Sequence, residues 1–135
     1  MVPVGGRRTR IMPATPWRML RPADPDRDYL VLLSYLPLKR LWRILWFAFL
    51  ANRIVRQLKR SAGVIGFSLK SRPFRGQFWT LSVWEHEGAL QAFVHEAPHV
   101  DTMRTMIPHM GQTRFVRWTA RGADLPVRWD DALRR

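Results

Sequence analysis

The chain has 135 residues, 47% hydrophobic and 24% charged, the composition of one globular domain with room for a real core. Its net charge of +13 suits an anionic membrane surface or nucleic acid, but the arginines are spread along the chain, and an Arg-rich coding bias explains them with no partner at all. With no Cys, disulfides, thiolate metal sites and Cys nucleophiles are excluded.

Residues 1–27 concentrate turn formers, from Pro3 and Gly5 to Pro22 and Pro25, and show no apolar period. They are expected to form a flexible arm, with 28–135 as the folded domain. Ile11, Met12, Trp17, Met19 and Leu20 are the residues able to pin part of that arm down. Arg7, Arg8 and Arg10 are not followed by a secretory apolar core, which points to a cytoplasmic protein.

Asp28 to Leu36 reads as a strand, short, apolar and closed by Pro37. Residues 38–60 read as a long helix. Leu41, Ile44, Leu45, Ala48, Ala51, Val55 and Leu58 would share its buried face, yet Trp42, Trp46, Phe47, Phe49 and Leu50 cover the other side. A helix apolar nearly all round is expected to be covered twice, the second time by a subunit partner or the N-terminal arm. Alternatively it lies in a membrane interface, with Trp42, Trp46 and Phe49 dipping in and Arg53, Arg56 and Arg60 at the headgroups. The run from Ile44 to Ala51 is far short of the roughly 20 residues that span a bilayer.

Gly63 suits the left-handed C′ position after this helix. Val64 to Lys70 is the second strand, 72–76 a turn, and 77–84 the third strand, rich in aromatic and β-branched residues. Glu85 and Glu87 then open a helix, which Pro98 breaks. Leu90, Phe93, Val94 and Ala97 form one buried face, and Val100, Met103 and Ile107 another. Residues 112–120 make the last strand, and 121–135 close with Trp129 and a short helical tail. The order β-α-β-β-α-β predicts an α+β, ferredoxin-like fold: a four-stranded antiparallel sheet with two helices on one face. The other face is then bare, and a second copy should cover it, giving a homodimer.

The run FWTLSVWEHEGALQAFVHEAPHVDTM, preceded by SAGVIGFSLKSRPFRGQ and followed by RFVRWTARGADLPVRWDDAL, resembles the dimeric α/β-barrel superfamily. Within it, the chain looks like DUF3291-like and antibiotic-biosynthesis-monooxygenase-like proteins. The WTLSVWE junction and Pro98-His99 also resemble a stretch of spheroidene monooxygenase. The resemblance covers about Asp28 to Leu133 and departs at the long helix, which is unusually aromatic. It implies a dimeric α/β barrel, and a protein that binds a small apolar or aromatic molecule between sheet and helices. It also implies one of several chemistries: cofactor-free oxygenation, haem binding, or none.

His95-Glu96-Ala97-Pro98-His99 matches H-E-x-x-H, but Pro98 distorts the helical turn a zinc site needs, so no metal is assigned. His99 alone is the candidate catalytic residue. In the resembling cofactor-free oxygenases a polar side chain in the cleft takes a proton from the substrate, and the substrate anion reduces dioxygen. In the haem-binding members a helix histidine near this position meets the iron. A near-neutral imidazole suits either task, and a cap or dimer contact is its structural alternative. Trp79, Trp84, His95 and Trp118 are the candidate ligand-binding residues, with core packing as the other role for the tryptophans. His86 is expected to be exposed and His109 to sit in a turn. Three functions follow: a monooxygenase-like protein, a haem protein with His99 as axial ligand, or a non-enzymatic peripheral membrane protein. Nucleic-acid binding ranks last, because the basic charge comes with no recognisable motif.

Overall fold

A computed structural model describes residues 17–96 and 99–135. Its strands are β1 (Arg18–Met19), β2 (Asp28–Pro37), β3 (Val64–Arg72), β4 (Gln77–Trp84) and β5 (Arg114–Arg121). Its helices are α1 (Ile44–Arg60, entered through a 3-10 turn at Leu41–Arg43), α2 (Glu87–His95), α3 (His99–Met106) and α4 (Trp129–Leu133). The sheet runs β1-β3-β4-β2-β5, antiparallel throughout. Without β1 this is the ferredoxin-like order expected from the βαββαβ sequence.

The fifth strand was not expected. It pairs Arg18 with Phe67 and Met19 with Gly66. Gly66 explains how: a Cβ there would lie 2.7 Å from the Trp17 indole and 2.8 Å from the Arg18 carbonyl oxygen. A strand glycine often marks such a close approach. The Arg21 guanidinium then donates to the Ser61 and Val64 carbonyls, at 2.9 Å each. Of the arm expected over 1–27, residues 17–27 therefore lie against the domain, and 1–16 fall outside the described residues. Gly66→Val should expel Trp17 and cost about 1–3 kcal/mol. Faster proteolysis near Arg18 and Arg21 with a lowered Tm would show it. Unchanged digestion would place Trp17 elsewhere.

Alternation in β2 sorts the core into two layers. Tyr29, Val31 and Leu33 are buried on one side with Ile65, Leu81 and Val83. Leu30, Leu32, Ser34 and Leu36 face the helices, as do their β4 partners Trp84, Ser82, Thr80 and Phe78. The first layer corrects the expected bare face. The chain covers much of it itself, with Trp17, Leu125, Val127, Trp129 and Ala132 packed on this layer, while Trp79 and Trp118 stay partly buried. Trp129 Nε1 donates to Ser68 Oγ at 3.0 Å, and the Lys70 ammonium lies 5.5 Å from its ring centroid.

The phase of α1 needs correcting in part: Leu58 is buried as expected, and Ile44 and Val55 pack on the core. Phe47, Leu50, Gln57 and Leu58 are its buried residues, whereas Leu45 is 82% exposed and Leu41 and Ala48 are exposed with it. An all-round apolar segment leaves the phase undetermined until the neighbours are placed. Pro98, expected to break the next helix, lies outside the described residues, but α2 does end at His95 and α3 begin at His99. Thr102 and Met106 turn inward on α3, while Ile107 is exposed. Gly63 takes φ +85°, one residue later than the C′ position, because Ser61 already caps α1.

Candidate functional site

The junction of α2 and α3 is held from α1. Gln57, buried among apolar neighbours, donates from Nε2 to the Phe93 carbonyl at 3.1 Å and accepts the His99 N–H at 2.8 Å. Both ends of one amide thus satisfy backbone groups that the break would otherwise leave unpaired.

That clamp presents His99. Its Nδ1 sits 3.1 Å from the Val94 carbonyl oxygen, and its ring centroid lies 4.9 Å from that of Phe93. A carbonyl only accepts, so in the neutral ring Nδ1 carries the proton and Nε2 the lone pair. Burial pushes the imidazole below the ordinary histidine value, the Val94 carbonyl pulls weakly the other way, and His95 adds a small repulsion. The ring is therefore neutral near pH 7, with a base nitrogen to offer.

One turn on, Thr102 is buried and its hydroxyl has no hydrogen-bond partner. A buried hydroxyl of this kind is one that a water or a ligand would satisfy. In the middle of the helix-facing side of the sheet two rungs carry hydroxyls: Ser34 pairs with Thr80, and Leu32 with Ser82. These hydroxyls separate two apolar clusters, one around Trp84 and Phe93, the other around Phe47 and Met106. The same rungs continue to Phe115 and Arg117 on β5. Phe115 is 58% exposed there, and Arg117 forms an ion pair with Glu87 at the start of α2. Hydrogen bonds from Gln91 and then Arg117 hold the Glu87 carboxyl below the usual carboxylate range.

The other expected residues do not converge on His99. Trp84 is on the helix side but 1% exposed, donating to Ser82 Oγ at 2.9 Å and packed on Phe93 at 5.1 Å. Trp79 and Trp118 lie on the opposite face of the sheet, Trp79 against Tyr35 at 5.2 Å and Trp118 under the Arg135 guanidinium at 4.4 Å. His95 is exposed, its Nδ1 2.8 Å from the Gln91 carbonyl. It ends one helix while His99 begins another, so the two imidazoles do not share the unbroken helical face of a zinc site. His86 is exposed and caps α2, its Nδ1 accepting from the Ala89 N–H at 3.1 Å. A groove of about 280 Å³ opens between the ends of α1 and α2, lined by Gln57, Arg60, Ser61, Phe93 and Glu96 among others. It includes two neighbours of His99 but not His99 itself. Gln57, Thr102, Ser34, Thr80 and Ser82 went unread in the sequence. The available signal was polar residues standing at apolar positions of periodic segments.

No family model matches the chain, and no curated protein matches it by sequence. Solved structures do match. A candidate monooxygenase from Fusobacterium nucleatum superposes with a TM-score of 0.69 at 9% identity, over 78% of this chain and 48% of its own. SnoaB from Streptomyces nogalater, a cofactor-independent oxygenase, gives 0.58 at 14% identity, over 70% and 95%. A candidate antibiotic biosynthesis monooxygenase from Nitrosomonas europaea gives 0.62 at 16%, over 68% and 89%. This is the antibiotic-biosynthesis-monooxygenase fold. Identities this low establish that fold and nothing finer, and the chain spans about half the length of the Fusobacterium protein. Within the monooxygenase fold shown here, His99 sits where α2 gives way to α3.

Proposed function

We propose that this chain is a monooxygenase-like protein that takes a small electron-rich aromatic molecule between helices and sheet, with His99 as general base. The observation that carries the reading is the anchored, neutral imidazole, with Nδ1–H held by Val94 and Nε2 left as the acceptor. Nε2 takes the phenolic proton. The anion then gives an electron to dioxygen, and recombination forms a carbon–oxygen bond. The resulting peroxide anion takes the proton back from Nε2 to give a hydroperoxide, which loses water to a quinone-type product, so two hydrogens leave the substrate and one oxygen atom enters it. The hydroxyls of Thr102 and Thr80 supply polar contacts, and Phe93 supplies an apolar wall. Access runs along the rungs that end at Phe115.

Dioxygen uptake with 1-naphthol and 1,5-dihydroxynaphthalene tests this. His99→Ala should lower the rate about 10²–10⁴-fold, the usual share of a general base. Uptake unchanged in that variant removes His99 from the chemistry. The pH dependence has a definite sign. The folded pKa lies below 6.5, so the acid limb of the rate should fall below the ordinary histidine range. The linked stability is present above the unfolded value and is lost as pH falls through the folded one.

Haem is the second reading. A metal-binding imidazole commonly gives its other N–H to a backbone carbonyl, as His99 does to Val94. His99 would be the residue to hold it, and the group would supply the redox chemistry. A Soret band on titration, absent in His99→Ala, distinguishes this from the first reading.

A further inference from the structure

Large apolar side chains stand open on one side of the molecule. Trp42, Leu45 and Phe49 are 71%, 82% and 64% exposed, at spacings of three and four that form a single outward stripe along the start of α1. Phe74, 91% exposed, joins them, because the turn at Pro73–Arg75 lies against Leu41–Arg43. The Leu38 N–H donates to the Gly76 carbonyl at 2.7 Å and pins that turn in place. Isolated exposed apolar residues need no explanation, but a contiguous aromatic and aliphatic patch does.

The charge around the patch is one-sided. Residues 29–84 hold ten Lys or Arg and not one Asp or Glu. Arg53, Arg56 and Arg60 are exposed and follow the stripe along α1 at the same spacing. Lys39 and Arg40 are exposed at its other end. The Arg43 guanidinium lies 4.4 Å from the Trp42 ring centroid and 5.4 Å from that of Trp46. The ion pairs among the described residues all use cations outside this segment.

From this combination we propose that the outer face of α1, with Phe74, docks on the surface of an anionic phospholipid bilayer. Trp42, Leu45, Phe49 and Phe74 enter the acyl boundary, and the flanking lysines and arginines meet the headgroup phosphates. No helix among the described residues is long and apolar enough to cross a membrane, so the helix lies in the interface. A second copy fits the patch poorly, since it would press two cationic, carboxylate-free surfaces together. Nucleic acid fits the charge and could stack on the exposed rings, but it gives the equally exposed Leu45 at the middle of the stripe no apolar partner.

The test is co-sedimentation of the whole chain at low salt with phosphatidylcholine vesicles, with and without phosphatidylglycerol. The expected result is binding to the mixed vesicles that weakens with salt. The single changes Trp42→Ser, Leu45→Ser, Phe49→Ser and Phe74→Ser should each reduce partitioning about tenfold, the equivalent of one buried apolar side chain. All four positions are exposed, so the variants should keep the wild-type circular dichroism and Tm. Three results overturn the proposal. One is no sedimentation with either vesicle, and another is sedimentation that the serine changes leave intact. The third is light scattering that finds a dimer in the wild type and a monomer in Leu45→Ser, which would give the patch to a second copy.

Discussion

Trp84→Ala should destabilise the domain by about 3–5 kcal/mol, close to the whole stability of many domains this size. Trp84 is 1% exposed at the end of β4, where the sheet meets α2. Its indole packs on Phe93 at 5.1 Å and its Nε1 donates to Ser82 Oγ at 2.9 Å. Truncation leaves a cavity and an unpaired hydroxyl together, and the two costs act in the same direction. The change should also reach the site, since Phe93 stands between Trp84 and His99. Trp118→Ala is the control. That ring is half-exposed under Arg135, and its loss should cost far less. Urea melts of both variants decide the matter. A Trp84→Ala midpoint within about 1 kcal/mol of wild type would mean that the indole is not buried as described.

A chain ending at Asp124 should no longer hold the fold of the full chain unaided. Removing 125–135 strips Trp129 and Ala132 from a sheet face whose residues Tyr29, Val31, Leu33, Leu81 and Val83 are all buried. Apolar area on that scale is worth roughly 25 cal/mol per Å² once opened to water. Ser68 Oγ would also lose the donor it has in Trp129 Nε1. Two routes are open to the truncated chain: unfolding, or burial of the newly opened area against another copy. Light scattering with a thermal melt separates them. A truncated chain that keeps the oligomeric state and Tm of the full chain would show that the tail is not what covers the sheet. The milder Trp129→Ala should cost about 2 kcal/mol, since the ring is only half-buried.

Local periodicity determined much of the fold. Strands at 28–36, 64–70 and 77–84 were readable from short runs of apolar, β-branched and aromatic residues, with Pro37, Gly63 and Gly76 at their limits, and the structure extends the first by one residue and the second by two. The interruption between His95 and His99 was readable because Pro98 cannot continue a helix. Those signals act over a few residues, and the βαββαβ order follows from them. His99 could be singled out for the same reason, as a histidine just past a helix break.

What remained depended on which segments meet in space. The buried phase of α1 could not be read from a helix apolar on every side; the sheet and α3 select Phe47, Leu50 and Gln57. Strand parity assigns Trp79 and Trp118 to the face away from His99 and Trp84 to the face toward it, but only once the register with β2 is known. Gln57 and Thr102 look like ordinary polar residues in sequence, and their meaning comes from partners 36 and 42 positions away or from the lack of any partner. The tail that covers the sheet has too short an apolar pattern to declare its target. Periodicity reports which side of an element is apolar, while contacts across long stretches of chain decide what that side is packed against.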